Sequence, residues 1–263
     1  MLKKLLKYDL QYIYKVLIVF YILLIISALF TRGFWSFKDS TIFNILGAIA
    51  SGCTISFIFS ILINNVMRTW ARFVKNVYGD ESYLTHTLPV SDKTIYLSKF
   101  LSSIITMFTS VLVILLGVFI AYYSKANLES LRLSLSMIAN IYDSSIVKIL
   151  IFLFFIFFLE MSLLIQIGYT GIILGHRSDD NKMVKSIIYG FAIYLFTQLL
   201  SLFIVFIAGL INNNIMKLFT TTQAIDIGII KFVIYLSLIV YLIYLFIYYI
   251  INIKLFKKGI NVD

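Results

Sequence analysis

Cysteine occurs once in the 263 residues, as Cys53. A lone thiol closes no internal disulfide, and its apolar neighbours predict a buried, inert side chain. Histidine occurs twice, as His86 and His176; with one cysteine and no clustered carboxylates, the chain lacks the donors of a usual zinc site. Neither Gly-x-Ser-x-Gly nor Gly-x-x-x-x-Gly-Lys-Ser/Thr is present, which removes both the nucleophile elbow and the ATP-binding phosphate loop. The chain is therefore not expected to be an enzyme or to bind a cofactor of its own. Charge is scarce as well: 13% of residues are charged against 61% hydrophobic, and the mean hydropathy is +1.00. That balance excludes a soluble domain of this length and predicts a polytopic membrane protein. The net charge of +10 would fit nucleic acid in a soluble protein, yet most Lys and Arg flank apolar runs, so the lipid bilayer is the expected partner and nucleic acid is not. The first apolar run follows an amphipathic segment and lacks a clear small-residue cleavage site, so no cleavable signal peptide is expected.

The single proline, Pro89, lies in the most polar stretch of the chain, residues 78–99. Asp80 is placed to accept from the free N–H groups opening a helix, and Glu81 suits the positive end of its dipole. A short helix over about 81–88 is predicted. Pro89 denies Leu88 the helical region and ends it, and Ser91 is placed to cap a second helix running on past Phe100. Helix, corner and helix make more structure than a turn between two apolar spans requires, which predicts a docking surface.

Residues 1–15 repeat at helical spacing. Leu2, Leu5, Leu6, Leu10, Ile13, Val16 and Leu17 fall on one arc, opposite Lys3, Lys4, Lys7, Gln11 and Lys15, the pattern of an amphipathic interfacial helix with its lysines towards anionic headgroups. Asp9 projects from the apolar arc. It either points to the interface or faces protein, pairing with a basic residue of the 68–99 loop or of a partner.

Apolar runs follow at about 16–30, 42–67, 100–123, 146–175, 187–211 and 230–252, each near or above the roughly twenty residues a span needs, the first completed by its lead-in. Six spans put both termini on one side. The segments on that side hold Lys3, Lys4, Lys7, Lys15, Arg68, Arg72, Lys75, Lys93, Lys99, Arg177, Lys182, Lys185, Lys254, Lys257 and Lys258, 15 of the 22 cationic residues. By the positive-inside rule the termini and the 78–99 elbow are cytoplasmic, in the plasma membrane of the cell. The fold class predicted is thus an all-α integral membrane protein: one six-span domain over 1–263, an N-terminal cytoplasmic amphipathic helix, and a cytoplasmic helix between spans two and three.

Outside the spans, residues 31–41 read as a short loop in which Gly33, Phe34 and Trp35 suit an interfacial anchor. Residues 124–145 are mildly amphipathic and predict a small external helix. Residues 212–229, from Asn212-Asn213-Asn214 through Thr220-Thr221-Thr222, read either as an ordinary external loop or as a re-entrant segment. Within the spans Glu160 stands out, because an ionisable group at that depth is expensive and turns to protein or water. One reading hydrogen-bonds it to a neighbouring helix, with Gln198 as partner; the other sets it in a substrate cavity or dimer seam, facing a cationic part of a cargo. Gly171 and Gly175, with Gly168 a turn earlier, and the pair Ala48 and Gly52 mark close helix approaches, within a subunit or between subunits. The fourth run's thirty residues rise about 45 Å, so its end projects beyond the membrane, and His176, Arg177, Asp179, Asp180 and Lys182 form a second inner loop.

The run Tyr78-Gly79-Asp80-Glu81-Ser82-Tyr83-Leu84-Thr85-His86-Thr87-Leu88-Pro89-Val90-Ser91, with Ser98-Lys99 behind it, resembles the cytoplasmic loop of the permease subunits of type 2 ATP-binding-cassette (ABC) exporters, among them bacterial exporters of, and immunity pumps against, amphipathic peptides and lantibiotics. In the look-alikes Gly stands where this chain has Ser82. The likeness in sequence covers about twenty residues, and the order of spans extends it along the chain. The resemblance implies that the elbow is a coupling helix seated in a separate cassette ATPase, with Tyr83, Leu84, Leu88 and Val90 as its apolar knob, Asp80, Glu81, Thr85 and His86 as polar contacts around it, and Tyr78 and Pro89 framing it. It implies two ATPase subunits holding ATP and Mg, a second permease subunit, identical or paralogous, and re-entrant helices between spans five and six, which residues 212–229 would fit. The expected function is export of hydrophobic or amphipathic cargo, antimicrobial peptides first and lipids or drugs as the alternative within the family. A secondary transporter or channel is disfavoured by the single intramembrane acid and the lack of matched repeats; a membrane scaffold or sensor would need the docking loop but no transport.

Overall fold

The structure, a computed structural model, describes residues 1–37, 40–220 and 227–257. Every described element is helical: α1 (Leu2–Trp35), α2 (Thr41–Val77), α3 (Ser82–Thr87), α4 (Asp92–Tyr122), α5 (Lys125–Ile141), α6 (Ile146–Gly175), α7 (Lys182–Ile211), α8 (Asn213–Thr220) and α9 (Ile227–Phe256). Six of these, α1, α2, α4, α6, α7 and α9, are long and apolar enough to cross a membrane, consistent with a multi-pass membrane protein. The chain forms two compact units, Met1–Ser134 and Leu135–Asp263.

In the first unit α1, α2 and α4 pack as an up-down-up bundle. Its order is fixed by cross-helix bonds at three heights. Asp9 meets Arg72 and Lys99 at one end. Tyr21 and Asn65 share the Ser110 hydroxyl at 2.7 Å each in the middle. Thr31 meets Thr54 at 3.0 Å and Ser51 meets Tyr122 at 2.6 Å towards the other end. Inside the bundle these hydroxyls and amides have no water to turn to, and each interhelical bond adds roughly 0.6 kcal/mol on average in a membrane interior. Between them lie fully buried Ile13, Leu17, Leu24, Ile61 and Met107. Gly117 lets α4 close on α1, since a Cβ there would stand 2.9 Å from the Leu24 side chain.

Three sequence expectations change here. The amphipathic stretch 1–15 is not a separate helix lying along a surface: it continues without interruption into the first span as one 34-residue helix, because nothing between Leu2 and Arg32 breaks the hydrogen-bond ladder and Ile13 and Leu17 of its apolar arc are buried where α1 packs on α2 and α4. Gly33, Phe34 and Trp35 are the last turn of that helix rather than loop, with Phe34 against Phe43 and the Trp35 ring lying over Gly47. Cys53 is exposed, not buried; it sits on the outward face of α2, away from the side where Ser51 and Thr54 bond the neighbouring helices.

In the second unit α6, α7 and α9 repeat the up-down-up order. Leu163, Ile167, Val240 and Tyr244 make its core, Thr170 and Gln166 bond Asn252, and Thr197 bonds Tyr248 at 2.6 Å. The Gly171/Gly175 pair works within this unit. A Cβ at Gly171 would come within 2.6 Å of the Gly190 backbone, and one at Gly175 would collide with Ser186. Gly52, by contrast, has open space around it. The expected small helix over 124–145 is α5. Two left-handed residues, Asp143 and Asn181, make the corners into α6 and α7, a conformation short polar side chains tolerate. Within 212–229, α8 lies against α7, with Met216 closing on Gly209; Thr221 and Thr222 of that stretch, and Lys258 of the cationic set, lie outside the described residues.

Candidate functional site

The elbow is built as its residues dictate. α2 runs ten residues past its apolar stretch to Val77, and Gly79 then lets the chain turn back within 3.3 Å of the Lys75 backbone. α3 follows as six residues. Leu88 takes an extended conformation (φ −66°, ψ 139°), as the residue before a proline must, and Ser91 opens α4 with its carbonyl accepting from Thr94 and Ile95. The capping differs from expectation at both starts. Glu81 rather than Asp80 occupies the position before α3, with no side-chain cap, and the Ser91 hydroxyl bonds that of Thr94 instead of a free N–H.

The residues singled out in sequence divide into two faces. Ser82, Thr85 and Tyr78 are buried, Tyr78 edge-on to Phe73, which also meets Tyr96 at 6.4 Å. His86 reaches back to the Val77 carbonyl at 3.2 Å. Tyr78 and Thr85 are therefore interior to the elbow and not surface contacts, and His86 ties α3 back to the end of α2. Tyr83 (76% exposed), Leu84 (67%) and Leu88 (40%) point outward, with exposed Asp80 and Pro89 at the rim and Val90 half-buried.

Behind that face is a charge network that joins Glu81, Ser98 and Lys99 to Asp9 and Arg72. The Asp9 carboxylate, 1% exposed, accepts from Arg72 Nε at 2.9 Å, Lys99 Nζ at 2.5 Å and Ser98 Oγ at 2.8 Å. Arg72 turns its Nη1 to Glu81 Oε2 at 2.6 Å, where Asn76 also donates at 3.2 Å, and Lys75 stands 3.5 Å from the other oxygen. Its guanidinium carbon lies 4.9 Å from the centre of the Tyr12 ring. Two acids and two buried cations balance. Of the two readings of Asp9, the one that faces protein holds. Burial pushes the Glu81 carboxyl up, but the Arg72 charge, with Asn76 and Lys75, outweighs it and holds the group below the ordinary carboxylate range. Glu81 is thus an inward latch rather than a free contact, and one guanidinium links α1, α2 and the elbow, while Lys99 brings in α4.

Sequence reasoning missed the polar stripe above this network. Asn65 and Thr69 on α2, and Ser103, Thr106 and Ser110 on α4, recur at three- and four-residue spacing inside apolar runs, a signal readable in advance.

Glu160 and Gln198 belong to the second unit. Glu160 is exposed on α6 and Gln198 is half-buried on α7, and both act on the Tyr241 hydroxyl of α9. At the C-terminal end of α6, His176 is buried, bonded to the Ile172 carbonyl and to Ser186, and Arg177 donates to the Leu255 carbonyl at 2.5 Å, so these members of the loop between α6 and α7 are engaged within their own unit. Among the described residues no group of His, Cys, Asp and Glu is placed to hold a metal ion. Compared with family models, with curated proteins and with solved structures, the chain gives no match.

Proposed function

We propose that this chain is the membrane subunit of an ATP-driven exporter and that the α3 elbow is where a separate cassette ATPase grips it. The observation that carries this reading is the two-faced elbow: Tyr83 and Leu84 are exposed on a six-residue helix and Leu88 just after it, while the other face is fastened to α2 through His86 and Glu81. Apolar side chains held out on a fixed support are what a partner's groove can push against, and a rigid attachment passes that push to α1, α2 and α4. The resemblance of residues 78–91 to a coupling loop points the same way.

In this reading two copies, or this chain and a paralogue, enclose the path in the plasma membrane with both termini cytoplasmic, while two ATPase subunits supply ATP and Mg chemistry. Closure of the ATPase pair moves the elbow and changes the side to which the path opens. The cargo is hydrophobic or amphipathic, amphipathic antimicrobial peptides being the first class to try.

The test is co-purification of the full chain with a cassette ATPase encoded beside it, followed by measurement of ATPase activity. Leu84→Asp and Tyr83→Ala are expected to abolish the stimulation while the protein inserts and melts normally. Undiminished binding and stimulation in both variants would remove the elbow from the coupling role.

A further inference from the structure

The outer face of α1 holds two parallel rails. Lys3, Lys7, Gln11 and Lys15 follow one another at four-residue spacing, and Leu6, Leu10, Tyr14 and Ile18 do the same three residues on, so the rails lie side by side on the helix surface. Between them runs an open groove of about 590 Å³ lined by these eight residues. The polar rail has three cations and no acid. The only carboxylate of this segment, Asp9, is buried on the opposite side and already shared by Arg72 and Lys99, and among the described residues no ion pair holds Lys3, Lys7 or Lys15. The groove therefore presents uncompensated positive charge beside an apolar strip, along roughly 18 Å of helix.

We propose that this groove binds one anionic phospholipid of the surrounding bilayer. The phosphate sits against Lys15 and Lys7, with Gln11 between them as a neutral donor, and the acyl chain follows Leu10, Tyr14 and Ile18 towards the membrane interior. The order of the groups matches the order of a lipid: the polar rail ends at Lys15, and the apolar rail continues to Ile18, where α1 enters its span. Tyr14 is held by its hydroxyl to Thr109 at 2.7 Å, so its ring is a fixed wall. A neutral zwitterionic lipid would leave the three charges unmatched. The proposal requires only that the chain lie in a bilayer and is independent of the exporter reading.

The experiment is native mass spectrometry of the full chain released from vesicles of phosphatidylcholine with phosphatidylglycerol. Wild type is expected to retain phosphatidylglycerol preferentially. Lys7→Gln/Lys15→Gln should lower that preference roughly thirty-fold, from about 1 kcal/mol per lysine near a surface, and Lys7→Arg/Lys15→Arg should keep it. Lys4→Gln/Lys93→Gln removes the same charge from exposed positions outside the groove and should leave it unchanged. Equal losses in both Gln pairs would mean a diffuse charge effect and overturn the site; so would full retention by the Lys7→Gln/Lys15→Gln protein, or displacement of the lipid by an acidic peptide bound more tightly.

Discussion

The Nε of Arg72 lies 2.9 Å from Oδ1 of Asp9, across 63 positions of sequence and at 10% and 2% side-chain exposure. A carboxylate so deeply placed is tolerable only because Lys99 and Ser98 complete its shell. Removing it strips a shared counter-charge from two buried cations, whereas removing Lys99 leaves Asp9 with Arg72 and Ser98. Asp9→Ala is therefore expected to cost about 3–5 kcal/mol, and Lys99→Met distinctly less, in thermal or chemical unfolding of the purified protein. Equal effects would show that Asp9 is not the hub.

Glu81 predicts a pH dependence with a definite sign. Its carboxyl is held below its ordinary value of 4.5 in the folded state, so the stabilisation it gives is complete above that value and is lost as pH falls through the folded value. The melting difference between wild type and Glu81→Gln should be constant from neutral pH down to about pH 5 and shrink only below 4.5. A difference that vanishes near neutrality would contradict the Arg72 latch.

The glycines of α6 differ sharply from that of α2. Gly171→Leu or Gly175→Leu must push α7 away from its backbone contact and should destabilise by about 1–3 kcal/mol or more, seen as a lower melting temperature. Gly52→Leu enters open space and should leave folding and melting unchanged.

Glu160 is exposed on its unit beside Tyr241. If it meets the cargo, Glu160→Gln should reduce export of cationic amphiphiles while export of neutral ones and ATPase coupling persist. Uniform export across both classes in that variant would assign Glu160 to packing alone.

The spans were readable because long apolar runs are an unambiguous signal; the fourth run coincides with α6, Ile146–Gly175. Leu88 and Pro89 fixed the corner of the elbow for an equally local reason, the steric restriction before proline. The partners of Asp9 were not decidable, since Arg72 and Lys99 looked like two more cations at the membrane edge and only the packing of α1 between α2 and α4 selects them. The two faces of α3 were likewise hidden: six residues give too short a period to tell that Thr85 turns in while Leu84 turns out. Cys53 could have been placed outward, since Ser51, Thr54 and Asn65 share the side of α2 that bonds α1 and α4 and Cys53 falls away from it, but the apolar run masks that stripe.

That outward position makes the chain a ready-made reporter. One thiol, alone in the sequence and midway along the apolar stretch of α2, is shielded from water-borne maleimide while α2 spans a bilayer and reacts once the chain is unfolded in detergent, so the rate of labelling reads the insertion of α2 with no background to remove.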